Sequence, residues 1–327
     1  MVSPELTVDV PPQPWTGRFD GDGAEHRRWW QAVSPYAPGA ESSDSPRQAP
    51  AAHSAAVPAV ILGFASDEGV RRNKGRTGAA LAPAAIRAAL APLAFHLDRT
   101  VSDAGDIVVS DGAMEAGQAR AGHAITAMLD AGRLTAVLGG GHETAFASYL
   151  GVAGSDAVRG GKRLGILNLD AHFDLRDEPL PSSGTPFLQM AGAEAAAGRE
   201  FCYAVVGISE PNNTRSLFNT ADRLDVRYLL DEDCTAERVR AFVADFLAGV
   251  DVLYLTIDLD VLPASVAPGV SAPAAYGVPL PVISAVCRQV AESGKLLHLD
   301  VAELNPQFDL DGRTAKVAAR LVNTLLR

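Results

Sequence analysis

The stretch Leu164-Gly165-Ile166-Leu167-Asn168-Leu169-Asp170-Ala171-His172-Phe173-Asp174 decides the fold class. It begins as an apolar run with little alternation. That is the pattern of a strand covered on both faces, as in a parallel sheet packed between helices. The run ends in three residues able to ligate a metal, spaced by two. Residues i, i+2 and i+4 of an extended chain share one face. Asp170, His172 and Asp174 can therefore converge beyond the carboxyl end of the strand, where α/β folds place their sites.

The same pattern recurs on either side. Short apolar runs at Val60–Phe64, Asp106–Val109, Leu134–Leu138, Leu164–Leu169, Tyr203–Gly207, Val226–Leu229, Val252–Ile257 and Leu296–Leu299 read as strands. Amphipathic segments near 80–90, 112–131, 141–149, 186–196, 214–224, 235–249, 281–292 and 313–326 read as helices. Strands interleaved with helices predict an α/β fold, and both a closed barrel and an open sheet fit the count. No long linker or internal repeat divides this region, so residues 58–327 read as one domain. Residues 1–57 differ. They hold Trp15, Trp29 and Trp30, a short helical pattern over Ala24–Val33, and a Pro/Ser/Ala-rich stretch from Ser34 to Pro58. They read as an arm packed on the body or extending from it.

The chain of 327 residues is 47% apolar and 20% charged, enough for a sizeable core. A formal net charge of −11 argues against a general nucleic-acid binder. Cys202, Cys234 and Cys287 stand too far apart for a disulfide framework or a paired-cysteine metal site, and read as free thiols in a reducing compartment. Residues 1–20 lack a signal-peptide pattern, and no apolar run approaches the roughly 20 residues that span a bilayer. The expectation is a soluble cytoplasmic protein with a small-molecule substrate and neither nucleic acid nor membrane as partner.

Three further segments carry chemistry. Tyr254-Leu255-Thr256-Ile257-Asp258-Leu259-Asp260 is a second apolar strand ending in acids spaced by two. Two interior carboxylates side by side are costly without cations. Leu138-Gly139-Gly140-Gly141-His142-Glu143 lacks the lysine of a phosphate loop and the second histidine of a zincin, and reads as a tight turn delivering His142 as a ligand. Leu297-His298-Leu299-Asp300-Val301-Ala302-Glu303 is another strand end followed by acids, with Glu303 a candidate for holding a cationic substrate group and His298 placed within the strand. Two histidines and four aspartates suit Mn²⁺, with Fe²⁺, Co²⁺ and Zn²⁺ as competitors. They are generous for one ion and adequate for two. Four carboxylates balance two divalent ions, and such a pair lowers the pKa of a water and orients it for hydrolysis.

Gly-Gly-Gly-His at 139–142, Asp-Ala-His-x-Asp at 170–174, Asp-x-Asp at 258–260 and Glu-x-x-Pro at 303–306, in this order, resemble the ureohydrolase family of arginases and agmatinases. The resemblance runs from about residue 59 to the end. It implies a three-layer α/β/α sandwich around a mostly parallel eight-stranded sheet, two Mn²⁺ per subunit, and a homo-oligomer. It implies His142, Asp170, Asp174 and Asp258 as ligands of one ion and Asp170, His172, Asp258 and Asp260 as ligands of the other. Asp170 and Asp258 would bridge, and Glu303 would meet the amidine or guanidine nitrogens.

The loop at Ser182-Ser183-Gly184-Thr185-Pro186-Phe187 lacks the histidine of the arginase loop. Trp15–Asp20, Asp67–Arg76, Asp170–Arg176, Ser183–Phe187 and Asn213-Thr214-Arg215 instead resemble the formimidoylglutamase branch. That branch implies hydrolysis of N-formimino-L-glutamate to L-glutamate and formamide in histidine degradation. Asp174, which can approach the bridging hydroxide, is the candidate to relay the proton to the leaving nitrogen. The substrate's two carboxylates call for donors among Arg71, Arg72, Arg176 and Arg215, with Asn73 and Asn213. For Arg176 the alternative is bracing Asp174 or closing a surface ion pair. The alternative activity is that of an agmatinase or guanidinobutyrase, releasing urea and an amine. It requires an acidic outer pocket.

Overall fold

The computed structural model describes residues 7–38 and 56–327. Among them are nine strands: β1 Ser34–Pro35, β2 Ala59–Ala65, β3 Val101–Val108, β4 Leu134–Leu138, β5 Leu164–Leu169, β6 Cys202–Ile208, β7 Arg227–Leu230, β8 Val252–Asp258 and β9 Leu296–Ala302. They form one sheet in the order β1-β3-β2-β4-β9-β8-β5-β6-β7, with every pairing parallel. The sheet has two free edges, which excludes the barrel.

Each face carries helices, because the strands are apolar on both sides. Helices 82–90, 236–248, 280–292 and 313–325 pack on one face around Leu138, Leu169, Leu255 and Val301. Helices 114–130, 144–154, 186–196 and 215–223 pack on the other around Phe64, Ile166, Tyr203 and Tyr254. This is the expected three-layer α/β/α sandwich, with nine strands rather than eight.

The ninth strand, β1, comes from the N-terminal segment and lies beside β3. Strand β3 begins five residues before its expected start. Its first half carries Ser102, Asp103 and Gly105, which hid it, and the buried acid is neutralised in place. Arg87 pairs with Asp103 at 2.8 Å and Asp106 at 2.5 Å, and Trp15 Nε1 donates to Asp103 at 2.8 Å. The helix expected over Ala24–Val33 is broken into a turn at Ala24–His26 and a helix at Trp29–Ala32. The Trp29 and Trp30 backbone N–H groups donate to Leu93 and Ala91 carbonyls, which fixes the chain there against the body. The Trp29 ring is buried, and its Nε1 donates to Asn323 Oδ1 at 2.9 Å. Of the Pro/Ser/Ala-rich stretch, residues 39–55 lie outside the described residues.

The order places β4, β9, β8 and β5 side by side. The turn after β4 carries His142, the segment after β9 carries Glu303, β8 ends in Asp258 and Asp260 follows it, and the loop after β5 carries Asp170, His172 and Asp174. All four sequence segments singled out for chemistry therefore end at one edge of the sheet centre.

Candidate metal centre

The turn at Gly139–His142 is bonded to the strand ends on either side. Gly141 N–H donates to the Ser66 carbonyl at 2.9 Å, and Glu303 N–H donates to the Gly140 carbonyl at 2.7 Å. A Cβ on Gly140 would overlap the Ser66 carbonyl oxygen and lie 2.7 Å from its carbon, so only glycine fits. The Asp170–Asp174 loop is braced by Asn213. Its Nδ2 donates to the Ala171 and Ser209 carbonyls at 2.9 Å, and its Oδ1 accepts from Phe173 N–H at 3.1 Å. Asp260 Oδ1 accepts from Ala171 N–H at 3.3 Å and ties this loop to the end of β8.

The side chains meet in two adjoining groups. Candidate ligand atoms of His142, Asp170 and Asp258 lie within 4.8 Å of one another, as do those of Asp170, His172 and Asp260. Asp170 belongs to both. His142 Nδ1 lies 2.9 Å from Asp174 Oδ2, 3.1 Å from Asp170 Oδ2 and 3.4 Å from Asp258 Oδ2. His172 Nδ1 lies 3.0 Å from Asp260 Oδ2 and 3.5 Å from Asp170 Oδ1.

The electrostatics of this cluster are those of carboxylates crowded without cations. Burial, with the charges of Asp260 and Asp170, pushes Asp258 well above the usual carboxylate range. Burial also raises Asp174 and Asp260. Burial opposes Asp170 too, but hydrogen bonds to His142 and His172 outweigh it and hold that carboxyl low. Burial works against both imidazolium ions, yet their carboxylate partners raise His142 and His172 well above the ordinary histidine value. The oxygen- and nitrogen-rich donor set fits hard or borderline divalent ions, which would displace protons from the two imidazoles.

Glu303 sits beside the cluster. Its Oε1 accepts from His142 N–H at 2.8 Å, while its buried Oε2 has no partner. Burial and the charge of Glu143 push its carboxyl up to about 8. Glu303 and Asp174 both adopt the left-handed backbone region, at φ 69° and 49°, which disfavours side chains with a Cβ.

A cavity of about 290 Å³ opens over the cluster, lined by His142, His172, Asp174, Asp258, Asp260 and Glu303. Arg176, Asn73 and Asn213 also line it, but Arg71, Arg72 and Arg215 do not. Arg71 is turned to solvent and paired with Glu68. Arg72 is buried as a structural hub, bonded to Glu68, Glu115 and the Pro181 and Gly112 carbonyls. Helix 68–72 points both away, since Glu68 lies three and four residues before them. Arg215 is exposed at the start of helix 215–223. Asn213 lines the cavity with its amide already committed to the backbone. Asn73 Nδ2 donates to Ser183 Oγ at 3.1 Å. Arg176 is half-exposed and only loosely paired with Glu178, at 4.0 Å.

Sequence reasoning missed Lys74 and Arg76, which line the cavity from the loop after helix 68–72. Their spacing by two within Asn73-Lys74-Gly75-Arg76 was the available signal. Arg76 is occupied, donating to the Ser271 and Val270 carbonyls and stacking 4.0 Å over Phe308. Glu143 was also missed. It is fully buried, and its Oε1 accepts from Ser66 Oγ at 2.6 Å and Gly69 N–H at 2.9 Å.

The chain belongs to the arginase family, which residues 57–327 match. Within it, the chain closely matches formimidoylglutamases. It is 56% identical to that of Nocardia farcinica (strain IFM 10152) over 312 residues, 95% of each chain. It is 54% identical to that of Rhodococcus opacus (strain B4) over 320 residues, 97% of this chain and 96% of the other. A Trypanosoma cruzi formiminoglutamase solved with Mn2+2 superposes with a TM-score of 0.75 at 25% identity, covering 83% of this chain and 92% of the other. Bacillus subtilis arginase shares the fold, with a TM-score of 0.70 at 23% identity over 82% of this chain and 98% of that one.

Proposed function

We infer that the chain is a binuclear-metal hydrolase of the formimidoylglutamase type, cleaving N-formimino-L-glutamate with water to L-glutamate and formamide in histidine degradation. The observation that carries this reading is the pair of ligand groups sharing the buried Asp170 beside a cavity lined by Glu303, whose buried Oε2 has no partner. The donor set of four carboxylates and two imidazoles fits two divalent ions. His142, Asp170, Asp174 and Asp258 would hold one, and Asp170, His172, Asp258 and Asp260 the other. When bound, such a pair lowers the pKa of a water and supplies a nucleophile at neutral pH. Manganese is the ion favoured by the oxygen-rich set and by the likeness to the Mn2+2 structure.

The remaining steps belong to side chains. Glu303 Oε2 accepts an N–H of the cationic formimino group and fixes the planar carbon over the cluster. As the water-derived oxygen bonds to the formimino carbon, the C=N π pair passes to nitrogen and the amidinium charge is lost, while the Glu303 carboxylate keeps accepting the N–H and holds the tetrahedral carbon in place. The bond between the formimino carbon and the glutamate nitrogen then breaks, and that nitrogen gains a proton. Asp174, which lines the cavity beside the cluster, is our candidate to pass it on. Arg176 faces the cavity with little competing ion pairing and can receive substrate carboxylate. This cation weighs against agmatine-like dications.

Residues 58–327 would form the catalytic domain, with residues 1–57 as an arm whose described part packs on it through Trp15 and Trp29. Three unpaired cysteines accord with a cytoplasmic, reducing location, and no helix among the described residues is long and apolar enough to cross a membrane. Homo-oligomeric assembly rests on the family resemblance.

The test is product analysis. Protein stripped of metal and restored with Mn²⁺ is incubated with N-formimino-L-glutamate. Glutamate and formamide, formed only with metal, are expected. Ammonia and N-formylglutamate would show that another C–N bond breaks, and no turnover with two ions bound would move the substrate to another amidine or guanidine.

A further inference from the structure

Behind the metal centre lies a buried chain of hydroxyl, carboxylate and imidazole groups that takes no part in the reaction above. His142 Nε2, the ring nitrogen facing away from the aspartates, lies 3.0 Å from Thr256 Oγ1. Thr256 Oγ1 donates to Asp300 Oδ1 at 2.6 Å. Asp300 Oδ2 accepts from Tyr254 OH, also at 2.6 Å. Adjacent strands build this chain. Thr256 lies on β8 and Asp300 on β9, and the two are direct cross-strand partners. All of these side chains are fully buried or nearly so, where a polar group left without a partner is costly.

Proton counting fixes the directions. A threonine hydroxyl has one proton to donate. Oδ1 of Asp300 can accept it whether or not Oδ2 carries a proton, because Tyr254 OH has a second acceptor in the Ala145 carbonyl at 3.2 Å. With its proton spent on Asp300, the Thr256 oxygen can only accept from His142. In that arrangement Nε2 carries hydrogen, and once a divalent ion displaces the other proton, Nδ1 is the nitrogen whose lone pair can face the cluster. Nδ1 is also the atom at 2.9 and 3.1 Å from Asp174 and Asp170.

We propose that Thr256 and Asp300 are positioning residues that lock the His142 ring in the tautomer and orientation that makes Nδ1 a metal ligand. The inference rests on the reading of the cluster as a two-ion site. His172 has no such support. Its ring is partly exposed, and its partners among the described residues are the carboxylates of Asp170 and Asp260. The positioning device thus serves one of the two ion sites, the one built on His142. Outer partners of ligating histidines commonly set metal affinity by about 10- to 100-fold.

The experiment uses the full chain loaded with MnCl₂, counting bound manganese after dialysis at graded free Mn²⁺. Electron paramagnetic resonance separates a coupled pair from an isolated ion. Thr256→Val keeps the shape but removes the acceptor, and is expected to weaken one of two ions by about 10- to 100-fold, giving an isolated-ion spectrum at limiting Mn²⁺. Thr256→Ser restores the hydroxyl and is expected to hold the coupled pair. Asp300→Asn keeps an acceptor at the Oδ1 position and is expected to resemble wild type, while Asp300→Leu frees the Thr256 proton and is expected to resemble Thr256→Val. If Asp300→Leu does not fold, the two Thr256 variants decide. A Thr256→Val protein that holds both ions with wild-type affinity would overturn the inference, as would a Thr256→Ser protein as impaired as Thr256→Val. Wild-type protein that binds no pair at all would instead overturn the two-ion reading and the inference with it.

Discussion

Replacing Glu303 with Gln should move activity and stability in opposite directions. The substitution preserves shape and can keep an oxygen on His142 N–H, now held at 2.8 Å. It removes the charge from Oε2, the buried atom with no partner. A hydrogen bond to a charged group contributes about 1.5–3 kcal/mol, and an amide N–H facing a substrate N–H adds an unmet donor. A total of about 2–4 kcal/mol corresponds to a fall in kcat/KM of roughly 30- to 1,000-fold. Stability follows from linkage. Burial and the Glu143 charge raise the Glu303 pKa to about 8, above its unfolded value of about 4.5. The folded chain then holds a proton that the unfolded chain loses. Stability from this group is full below about pH 4.5 and declines by up to about 1.4 kcal/mol per pH unit until about pH 8. Glutamine removes that decline, so metal-free Glu303→Gln should be more stable than wild type at pH 8 and little changed at pH 5. The assays are kcat/KM of manganese-loaded protein with a metal count, and urea unfolding of metal-free protein at both pH values. Activity within threefold of wild type with both ions bound would refute the substrate-binding role. A variant less stable than wild type at pH 8 would refute the electrostatic argument.

Other substitutions separate structure from chemistry. Gly140→Ala drives a Cβ into the Ser66 backbone, so it should cost about 3 kcal/mol or more, or displace His142; unfolding and manganese-binding measurements would show which. Arg72→Met breaks a buried ion-pair hub outside the cavity, and should lower stability by about 2–3 kcal/mol while leaving KM within twofold, measured by denaturation and steady-state kinetics. His298 is buried with its pKa pushed down to about 3, so unfolding it adds a proton between about pH 3 and 6.5. Its contribution is intact above pH 6.5 and is lost as pH falls through that window. His298→Gln should therefore show a shallower acid loss of stability than wild type, by up to about 1.4 kcal/mol per pH unit, in metal-free unfolding curves.

The strand ends were legible because apolar patterning and metal-ligating chemistry coincide there. Leu164–Leu169 and Val252–Asp258 are buried throughout, and the acids that follow are the ones the structure brings together. The substrate side was less legible because charge gives no direction. Arg72 reads like a carboxylate donor until helix 68–72 turns it toward Glu115 and the Pro181 carbonyl. Lys74 shows no direction in the sequence, yet it lines the cavity from the loop after helix 68–72. The start of β3 was hidden for a related reason. Asp103 is a poor strand residue by composition and becomes acceptable through Arg87 and Trp15, contributed from 16 and 88 residues away.

The centre itself is a place where local preference gives way to function. Asp174 and Glu303 each hold a left-handed backbone conformation, which costs a residue with a Cβ about 1–3 kcal/mol. Each is held there by bonds from a different element. Phe187 N–H reaches the Asp174 carbonyl at 3.3 Å, and Glu303 N–H reaches the Gly140 carbonyl at 2.7 Å. Burial raises the carboxyl pKa values of Asp174, Asp258, Asp260 and Glu303 together, so the metal-free cluster opposes its own ionisation. In the proposed reading cations would relieve that opposition, divalent ions at the cluster and a protonated amidine at Glu303. On that reading the destabilised carboxylates would be sources of affinity, and the parallel sheet beneath them supplies the stability they lack.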